Sequence, residues 1–329
     1  VAEHPILVTG AAGFIGSWTA ERLLSMGRAV IGVDNFDPFY APEIKRATLA
    51  QVARTAERVG AGGRWSLVEA DITDAGEMLR LFDAVRPSGV IHLAAKAGVR
   101  PSIEDPVGYA RANVLGTSVL LDAATRAGCS RMVIASSSSV YGNNAKVPFA
   151  ETDDVGEPIS PYAATKRACE LIGYTHWHLT RMPTAMLRFF TVFGPRQRPD
   201  LAIQSFLRRI SRGEAIRMFG DGTTSRDYTY IDDIVQGVIS AYERIPQHGY
   251  RIWNLGGSAP VTLREMIATI GRVVGKEPNV IPGPTQPGDV ERTWADPNRS
   301  AAELGYTPRT PFEEGVRRQW AWNLEHGQG

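Results

Sequence analysis

Ile6-Leu7-Val8-Thr9-Gly10-Ala11-Ala12-Gly13-Phe14-Ile15-Gly16 runs from a short apolar stretch into three evenly spaced glycines, and a helical pattern follows through Leu24. The expected order is strand, glycine turn, helix. Gly10 permits the tight turn, Gly13 lets backbone approach a pyrophosphate, and Gly16 lets helix pack on strand. Phe14 and Ile15 share the candidate contact surface. The spacing is G-x-x-G-x-x-G rather than the commoner G-x-G-x-x-G, so the loop needs support from its surroundings. Support comes from a second apolar run, residues 29–33, which ends at Asp34 and Asn35, about 20 residues past the loop. An acid there accepts hydrogen bonds from a free ribose 2′-hydroxyl and repels a 2′-phosphate, which predicts NAD rather than NADP. A solvated acid at a strand end is the plainer alternative, but the spacing and the glycine loop agree with each other.

The alternation continues. Residues 66–69 read as a third strand followed by Asp71-Ile72, placed to contact an adenine. Residues 90–95 read as a fourth, ending in Leu93-Ala94-Ala95, small enough to leave room for a cofactor. A helix is expected over 105–127, with Asn113 either a polar core contact or a bracket for the site. Residues 131–136 form a fifth strand running into Ser136-Ser137-Ser138-Ser139-Val140-Tyr141-Gly142. Strands alternating with helices imply an α/β fold with a doubly wound parallel sheet of the Rossmann type, with ligands beyond the carboxyl ends of the strands. After a strand at 186–190 the pattern changes to a basic, proline-containing loop at 194–199 and a basic amphipathic helix at 203–210. A helix is expected over 261–274 and a Pro/Gly-rich loop over 278–288. We therefore divide the chain into a dinucleotide-binding domain, residues 1–190 with a returning segment near 228–256, and a smaller interleaved C-terminal substrate lobe, residues 191–227 and 257–329.

The totals narrow the options. The 329 residues are 43% hydrophobic and 22% charged with a net charge of +1, so no nucleic-acid-binding surface is expected. Two cysteines, Cys129 and Cys169, make no disulfide framework and fit a reduced, cytoplasmic setting. No apolar run nears the roughly 20 residues a bilayer requires, and the first residues lack the basic start of a signal peptide. His176 and His178, two apart on a helical stretch, point in different directions, and no metal site is expected.

Ser160-Pro161-Tyr162-Ala163-Ala164-Thr165-Lys166 carries the candidate chemistry. Ser160 suits an N-cap and Pro161 the first helical position. Tyr162 and Lys166 then lie four apart on one face, where the ammonium group favours ionisation of the phenol and equips it to take a proton from a sugar hydroxyl. The bland alternative is a surface helix in which Lys166 pairs with Glu170.

Together these motifs resemble the extended short-chain dehydrogenase/reductase family over almost the whole chain. The matching residues are Thr9 to Gly16, Asp34-Asn35, Asp71-Ile72, the serine run with Val140-Tyr141-Gly142, and Tyr162 with Lys166. Arg226-Asp227-Tyr228, Gly288-Asp289 and Leu304-Gly305-Tyr306-x-Pro308 match in the C-terminal part. Two stretches, Asp34-Asn35-Phe36-Asp37-Pro38-Phe39-Tyr40 and Phe193-Gly194-Pro195-x-x-Arg198-Pro199-Asp200, are especially similar to the UDP-glucuronate 4-epimerases. The resemblance implies NAD as cofactor, a UDP-sugar acid as substrate, no membrane or nucleic-acid partner, and a homodimer formed through helices such as 105–127 and 162–180. It implies catalytic roles for Ser137, Tyr162 and Lys166, with Tyr162 and Lys166 also meeting the cofactor. Ser138 is an alternative partner in the role of Ser137, and Ser138 and Ser139 border the sugar. It implies that Arg226 binds the substrate diphosphate. Gln286 stands three residues before Asp289 where related galactose epimerases have Arg, so Arg292 is a candidate replacement. Thr191 stands where neutral-sugar epimerases have Asn.

Dehydratases and decarboxylases of the family carry acids just after the catalytic Ser/Thr; here Ser138 and Ser139 follow Ser137. Without that acid a 4-keto intermediate has no route onward, and hydride returns to it. Turning the ring first gives epimerisation. Reading the sugar carboxylate falls to Arg198, or to the adjacent Arg196, since guanidinium pairs well with carboxylate. The competing outcomes are a UDP-glucuronate decarboxylase, a neutral UDP-hexose 4-epimerase and, more remotely, a non-catalytic NAD-sensing regulator.

Overall fold

The apolar run Ile6–Thr9 is buried throughout as strand β1, and every later element of the first half is arranged around it. The computed structural model describes residues 4–257, 259–284 and 290–327. After β1 come α1 (Phe14–Ser25), β2 (Val30–Asp34), α2 (Pro42–Arg58), β3 (Trp65–Glu69), α3 (Ala75–Val85) and β4 (Gly89–His92). Next are α4 (Val99–Glu104), α5 (Pro106–Tyr109), a π-helical turn (Ala110–Leu115), α6 (Gly116–Arg126), β5 (Met132–Ser137), α7 (Pro161–Thr180) and β6 (Thr184–Phe189). The remainder comprises β7 (Thr191–Phe193), α8 (Ala202–Ser211), β8 (Ile216–Phe219), β9 (Ser225–Tyr230), α9 (Ile231–Arg244), β10 (Tyr250–Leu255), β11 (Pro260–Thr262), α10 (Leu263–Val274), β12 (Val280–Gly283), α11 (Asn298–Leu304) and α12 (Phe312–Glu325).

Seven strands form one parallel sheet in the order β10-β6-β5-β4-β1-β2-β3. Helices cover both faces, which is why β1, β4, β5 and β6 are apolar and buried at nearly every residue rather than alternating. Strand order reverses between β1 and β4, so a crevice opens beyond their carboxyl ends. Gly10 sits there with φ of 70°, and a Cβ on it would lie 2.8 Å from the Ala94 nitrogen, so only glycine fits. The later strands also build two small sheets, β11-β9-β7 and β12-β8, beside the crevice, while β10 returns to the edge of the main sheet.

Three expectations are corrected. The helix expected over 105–127 is broken into α5, the π turn and α6: Asp105 Oδ1 accepts from Gly108 N at 2.9 Å to start a new helix at Pro106, and the π turn adds a residue around Asn113. The helix expected from 261 begins at Leu263, because Thr262 and Glu265 form a capping box and Val261 pairs with Arg226 in β11. Within the loop expected at 278–288, residues 280–283 form β12, paired in parallel with β8. β-Branched Val280 and Ile281 favour that strand despite the flanking prolines.

Behind the crevice lies a buried ion pair. Glu170 of α7, 0% exposed, accepts from Arg188 Nε at 2.8 Å and Nη2 at 2.9 Å on β6, and from Ser136 Oγ of β5 at 2.7 Å. Replacing Glu170 by Ala strands the Arg188 charge in the core and should cost about 3–5 kcal/mol in urea unfolding. The double change with Arg188→Met should cost less than Glu170→Ala alone, because no buried charge is then left unpaired.

Candidate active site

The helix bearing Tyr162 starts as its sequence requires: Ser160 Oγ accepts from Ala163 N at 3.2 Å, and Pro161 takes the first turn. Lys166 is 4% exposed, and its Nζ donates to the Ala135 carbonyl at 2.8 Å. It does not pair with Glu170, which Arg188 already occupies. The lysine thus bridges α7 to β5, two residues before Ser137. Strand alternation separates the serines: Ser136 donates back to Glu170, while Ser137 Oγ accepts from Ser139 N at 3.1 Å and donates to Ser139 Oγ at 3.1 Å.

Ser137, Ser138, Ser139, Tyr162 and Lys166 line one wall of a cleft of about 590 Å³. Its other end is lined by Gly10, Gly13, Phe14, Ile15 and Gly16, with Leu93, Ala94 and Ala95 between. Gly13 caps α1 without a side-chain acceptor, and no acid stands in the helix's first turn. Its free N–H groups and positive end suit an anion, so a dinucleotide pyrophosphate fits here. Asp34 lines the same end; its carboxylate accepts from Ala12 N at 3.1 Å and Phe36 N at 2.9 Å, bracing the glycine loop. Asn35 donates to Asp71, which also accepts from Thr73 N and Oγ1 at 2.8 Å each. Burial opposes ionisation of Asp71, but these bonds hold its carboxyl below the usual range. Ile72 lies beside it in the cleft.

Thr191 and Arg198 also line the cleft, and geometry separates the two candidate arginines. Arg198 faces the cleft, its guanidinium 4.7 Å over the Phe39 ring, with Nε and Nη2 on the Asp200 carboxylate and Nη1 on the Ala97 carbonyl at 3.2 Å. Arg196 turns the other way, to Glu21 and Gln51. The two stretches most like UDP-glucuronate 4-epimerases therefore meet, through Phe39 and Arg198.

Other expectations are not met. Asn113 does not line the cleft; it is buried, taking Lys96 N on Oδ1 and donating from Nδ2 to Lys96 O and Thr165 Oγ1. These contacts match the expected alternative of a buried bracket behind the site. Arg226 is not brought into the cleft lining: β9 runs in the small β11-β9-β7 sheet, and Arg226 Nη1 donates to Ser225 O at 2.9 Å. Arg292, the candidate replacement, donates to Ala145 O at 2.8 Å. Gln286, Gly288 and Asp289 lie outside the described residues. Sequence reading passed over Phe39, which lay inside a motif already singled out, and Lys45, a buried cation 3.8 Å from Asp34 that donates to Asp37 O at 2.9 Å. It also missed Tyr109, which meets Tyr162 edge-on at 6.1 Å.

Comparison with known proteins agrees with this geometry. The family described as GDP-mannose 4,6 dehydratase matches residues 7–319. The chain belongs to that family, within the extended short-chain dehydrogenases/reductases. Among its relatives, a UDP-glucuronate 4-epimerase of Thermodesulfobacterium geofontis is 39% identical over 97% of this chain and 96% of its own length. Among solved structures of the family, a UDP-glucuronic acid 4-epimerase from Bacillus cereus in complex with UDP-glucuronic acid and NAD superposes with a TM-score of 0.87. It is 30% identical over 98% of this chain and 99% of its own. A UDP-glucose 4-epimerase from Thermotoga maritima, with UDP-glucose, gives a TM-score of 0.86 at 30% identity over 98% and 99%. Family members thus differ in the sugar they hold while sharing this fold, which moves the question of specificity to the residues lining the cleft.

His92 ends β4 behind this site, buried between Thr9 Oγ1 at 2.7 Å and Thr117 Oγ1 at 3.1 Å. Burial, aided by the charge of Lys166, lowers its pKa from 6.5 to about 3. A depressed histidine stabilises the fold fully above its unfolded pKa and loses that contribution as pH falls toward the folded one. Between pH 7 and 5, urea midpoints should fall with acidification, by up to about 1.4 kcal/mol per unit from this group. A His92→Gln variant should flatten that slope.

Proposed function

We propose that the protein is an NAD-dependent UDP-glucuronate 4-epimerase that interconverts UDP-glucuronate and UDP-galacturonate through a 4-keto intermediate. The observation that carries this reading is Arg198, seated on Phe39 in the cleft that Ser137, Tyr162 and Lys166 also line. The relatives named UDP-glucuronate 4-epimerase support it.

The glycine loop and Asp34 would hold NAD, which when bound supplies the acceptor and donor for the C4 hydride. Tyr162 takes the proton from the 4-hydroxyl and later returns it. Lys166 is fixed on the Ala135 carbonyl beside the helix turn that carries Tyr162. Ser137 hydrogen-bonds the same sugar oxygen. Ser138 and Ser139, standing where acids would be needed, neither protonate a leaving hydroxyl nor abstract a second proton at neutral pH, so the keto sugar is reduced again rather than dehydrated. Arg198 pairs with the sugar carboxylate, helped by Ser138 and Thr191, and holds it in a conformation that disfavours loss of carbon dioxide. Residues 191–227 and 257–329 would supply most of the substrate lobe, and Arg226 keeps its proposed role toward the diphosphate.

The same reading includes a homodimer. Val107, Leu171 and Leu179 are 79%, 53% and 75% exposed, and with Leu115 and Tyr174 they leave an apolar surface along α5, the π turn and α7. A second copy of the chain would cover it. No helix among the described residues is long and apolar enough to cross a membrane; with two buried, unpaired cysteines, a cytoplasmic setting fits the reaction.

Proton NMR of UDP-glucuronate with the purified protein and substoichiometric NAD⁺ should show UDP-galacturonate growing to a ratio that is the same from either side. UDP-xylose or a 4-keto pentose instead would make the enzyme a decarboxylase, and turnover of UDP-glucose alone would move it to the neutral-sugar epimerases. Tyr162→Phe should lose at least about 100-fold in kcat while remaining folded; undiminished turnover in that variant would remove Tyr162 from the mechanism.

A further inference from the structure

Arg196 adopts a left-handed backbone conformation, φ 68°, directly after Gly194-Pro195 and two residues before Arg198. For a residue with a Cβ that conformation costs on the order of 1 kcal/mol, so it persists only where the surroundings impose it. Here they do so in two ways: Arg196 takes the third position of a turn over 194–197, after Pro195, closed by Gln197 N donating to Gly194 O at 3.1 Å, and its side chain is clamped. Arg196 Nη2 donates to Glu21 Oε1 at 2.8 Å, Nε to Gln51 Oε1 at 2.7 Å and Nη1 to Ser17 Oγ at 3.4 Å. The guanidinium lies 4.6 Å over the Trp18 ring, whose Nε1 in turn donates to the Pro195 carbonyl at 3.0 Å. The Arg196–Glu21 pair is almost dry, with side chains 7% and 11% exposed. Such a desolvated, multiply bonded pair is far more rigid than a surface ion pair.

Ser17, Trp18 and Glu21 all belong to α1, the helix that begins at the glycine loop. A second backbone turn follows it: Leu201 N donates to Arg198 O at 3.2 Å. Two arginines, two positions apart, thus face opposite ways, one clamped to α1 and α2 and the other lining the cleft. The geometry points to Arg196 as a positioning residue for carboxylate recognition: clamped to Glu21 on the glycine-loop helix, it docks the 194–197 turn so that Arg198, two residues on, is delivered to the cleft. The helix that frames the cofactor end thereby also fixes the seat of the specificity residue. Arg196 itself touches no substrate. This inference rests on the proposed role of Arg198 and extends it.

Because Arg196 acts through Arg198, its effect should vanish when Arg198 is gone. We would measure kcat, KM and the decarboxylated fraction of product for UDP-glucuronate in Arg196→Met, Arg198→Met and the double variant. Arg196→Lys and Glu21→Gln serve as milder changes that keep the fold, with urea midpoints taken throughout. Arg196→Met should raise KM about tenfold or more and increase the decarboxylated fraction, Arg196→Lys should restore part of both, and the double variant should match Arg198→Met alone. Multiplying effects of the two substitutions, or a lowered urea midpoint with KM and product ratio unchanged, would overturn the inference.

If the wild-type protein leaves UDP-glucuronate untouched, the functional reading fails, and the clamp is judged on a second signal. The Arg198 Nε–H resonance, identified by its loss in Arg198→Lys, should shift in Glu21→Gln and Arg196→Lys, because its bond to Asp200 is set by the turn. An unmoved resonance would dispose of the clamp independently of activity.

Discussion

The ion pair between Glu170 and Arg188 fixes the helix that carries Tyr162 and Lys166 against the sheet. Taking both charges out of water is costly, and the return depends on geometry and on satisfying the remaining polar atoms. Here the carboxylate accepts from both sides of the guanidinium fork, from Ser136 and from Arg167, while the Arg188 guanidinium also lies 4.8 Å over the Tyr141 ring. Tyr250 on the edge strand β10 donates to the Glu170 carbonyl at 2.8 Å. The result is that α7 is registered against β5, β6 and β10 together. Tyr162, Lys166 and Glu170 recur every four residues, so they form one stripe down the helix. The lowest member anchors in the core, the middle one bridges to Ala135, and the uppermost reaches the cleft. A slip of the helix by one residue would break all three contacts at once.

Three cations around the cleft are paired with carboxylates. Lys45 is paired with Asp34, Lys96 with Asp105 at 2.8 Å, and Arg198 with Asp200. Three of the five guanidinium N–H groups of Arg198 are used by Asp200 and Ala97, leaving one on Nη1 and one on Nη2 for a further acceptor. Stacked on Phe39, the plane of that fork is fixed before any sugar arrives, so little side-chain entropy remains to be lost on binding. Such preorganisation is what lets a single arginine discriminate between sugars that differ only at one carbon.

How much of this was legible in the sequence follows from which contacts are local. The glycine loop, Asp34, the N-cap at Ser160 and the Tyr162–Lys166 pair all depend on spacing within one element, and the period of strand or helix is enough to place them. The split between Ser136 and Ser137 also follows from strand alternation, once the strand is known to continue to Ser137. What spacing could not supply was the partner across the fold. The sequence offered Lys166 one acceptor, Glu170, and only the tertiary arrangement gives Glu170 to Arg188 and the Ala135 carbonyl to the lysine. Asn113 was placed on the right helix, but the π turn that aims it at Lys96 and Thr165 leaves no periodic signature. Arg226 was carried over from a family motif, and its register opposite Val261 depends on a strand 35 residues later. The capping box at Thr262 and Glu265, in contrast, was readable and would have corrected the helix start.

The choice among the family's outcomes turns on what each end of the cleft lacks and supplies. A 4-keto sugar acid is a β-keto acid, unstable toward decarboxylation when the carboxylate carbon–carbon bond aligns with the carbonyl π system. An enzyme that makes this intermediate and keeps its carbon needs two things: no acid–base group placed to drive elimination, and a rigid contact that holds the carboxylate out of that alignment. Ser138 and Ser139 meet the first requirement by being hydroxyls with no charge to give. In the proposed reading Arg198 meets the second only as well as its own orientation is enforced, which Phe39 and Asp200 help to do. These residues come from stretches more than 150 positions apart. Loss of rigidity at this contact alone would turn an epimerase toward decarboxylation without any change to Tyr162, Lys166 or Ser137.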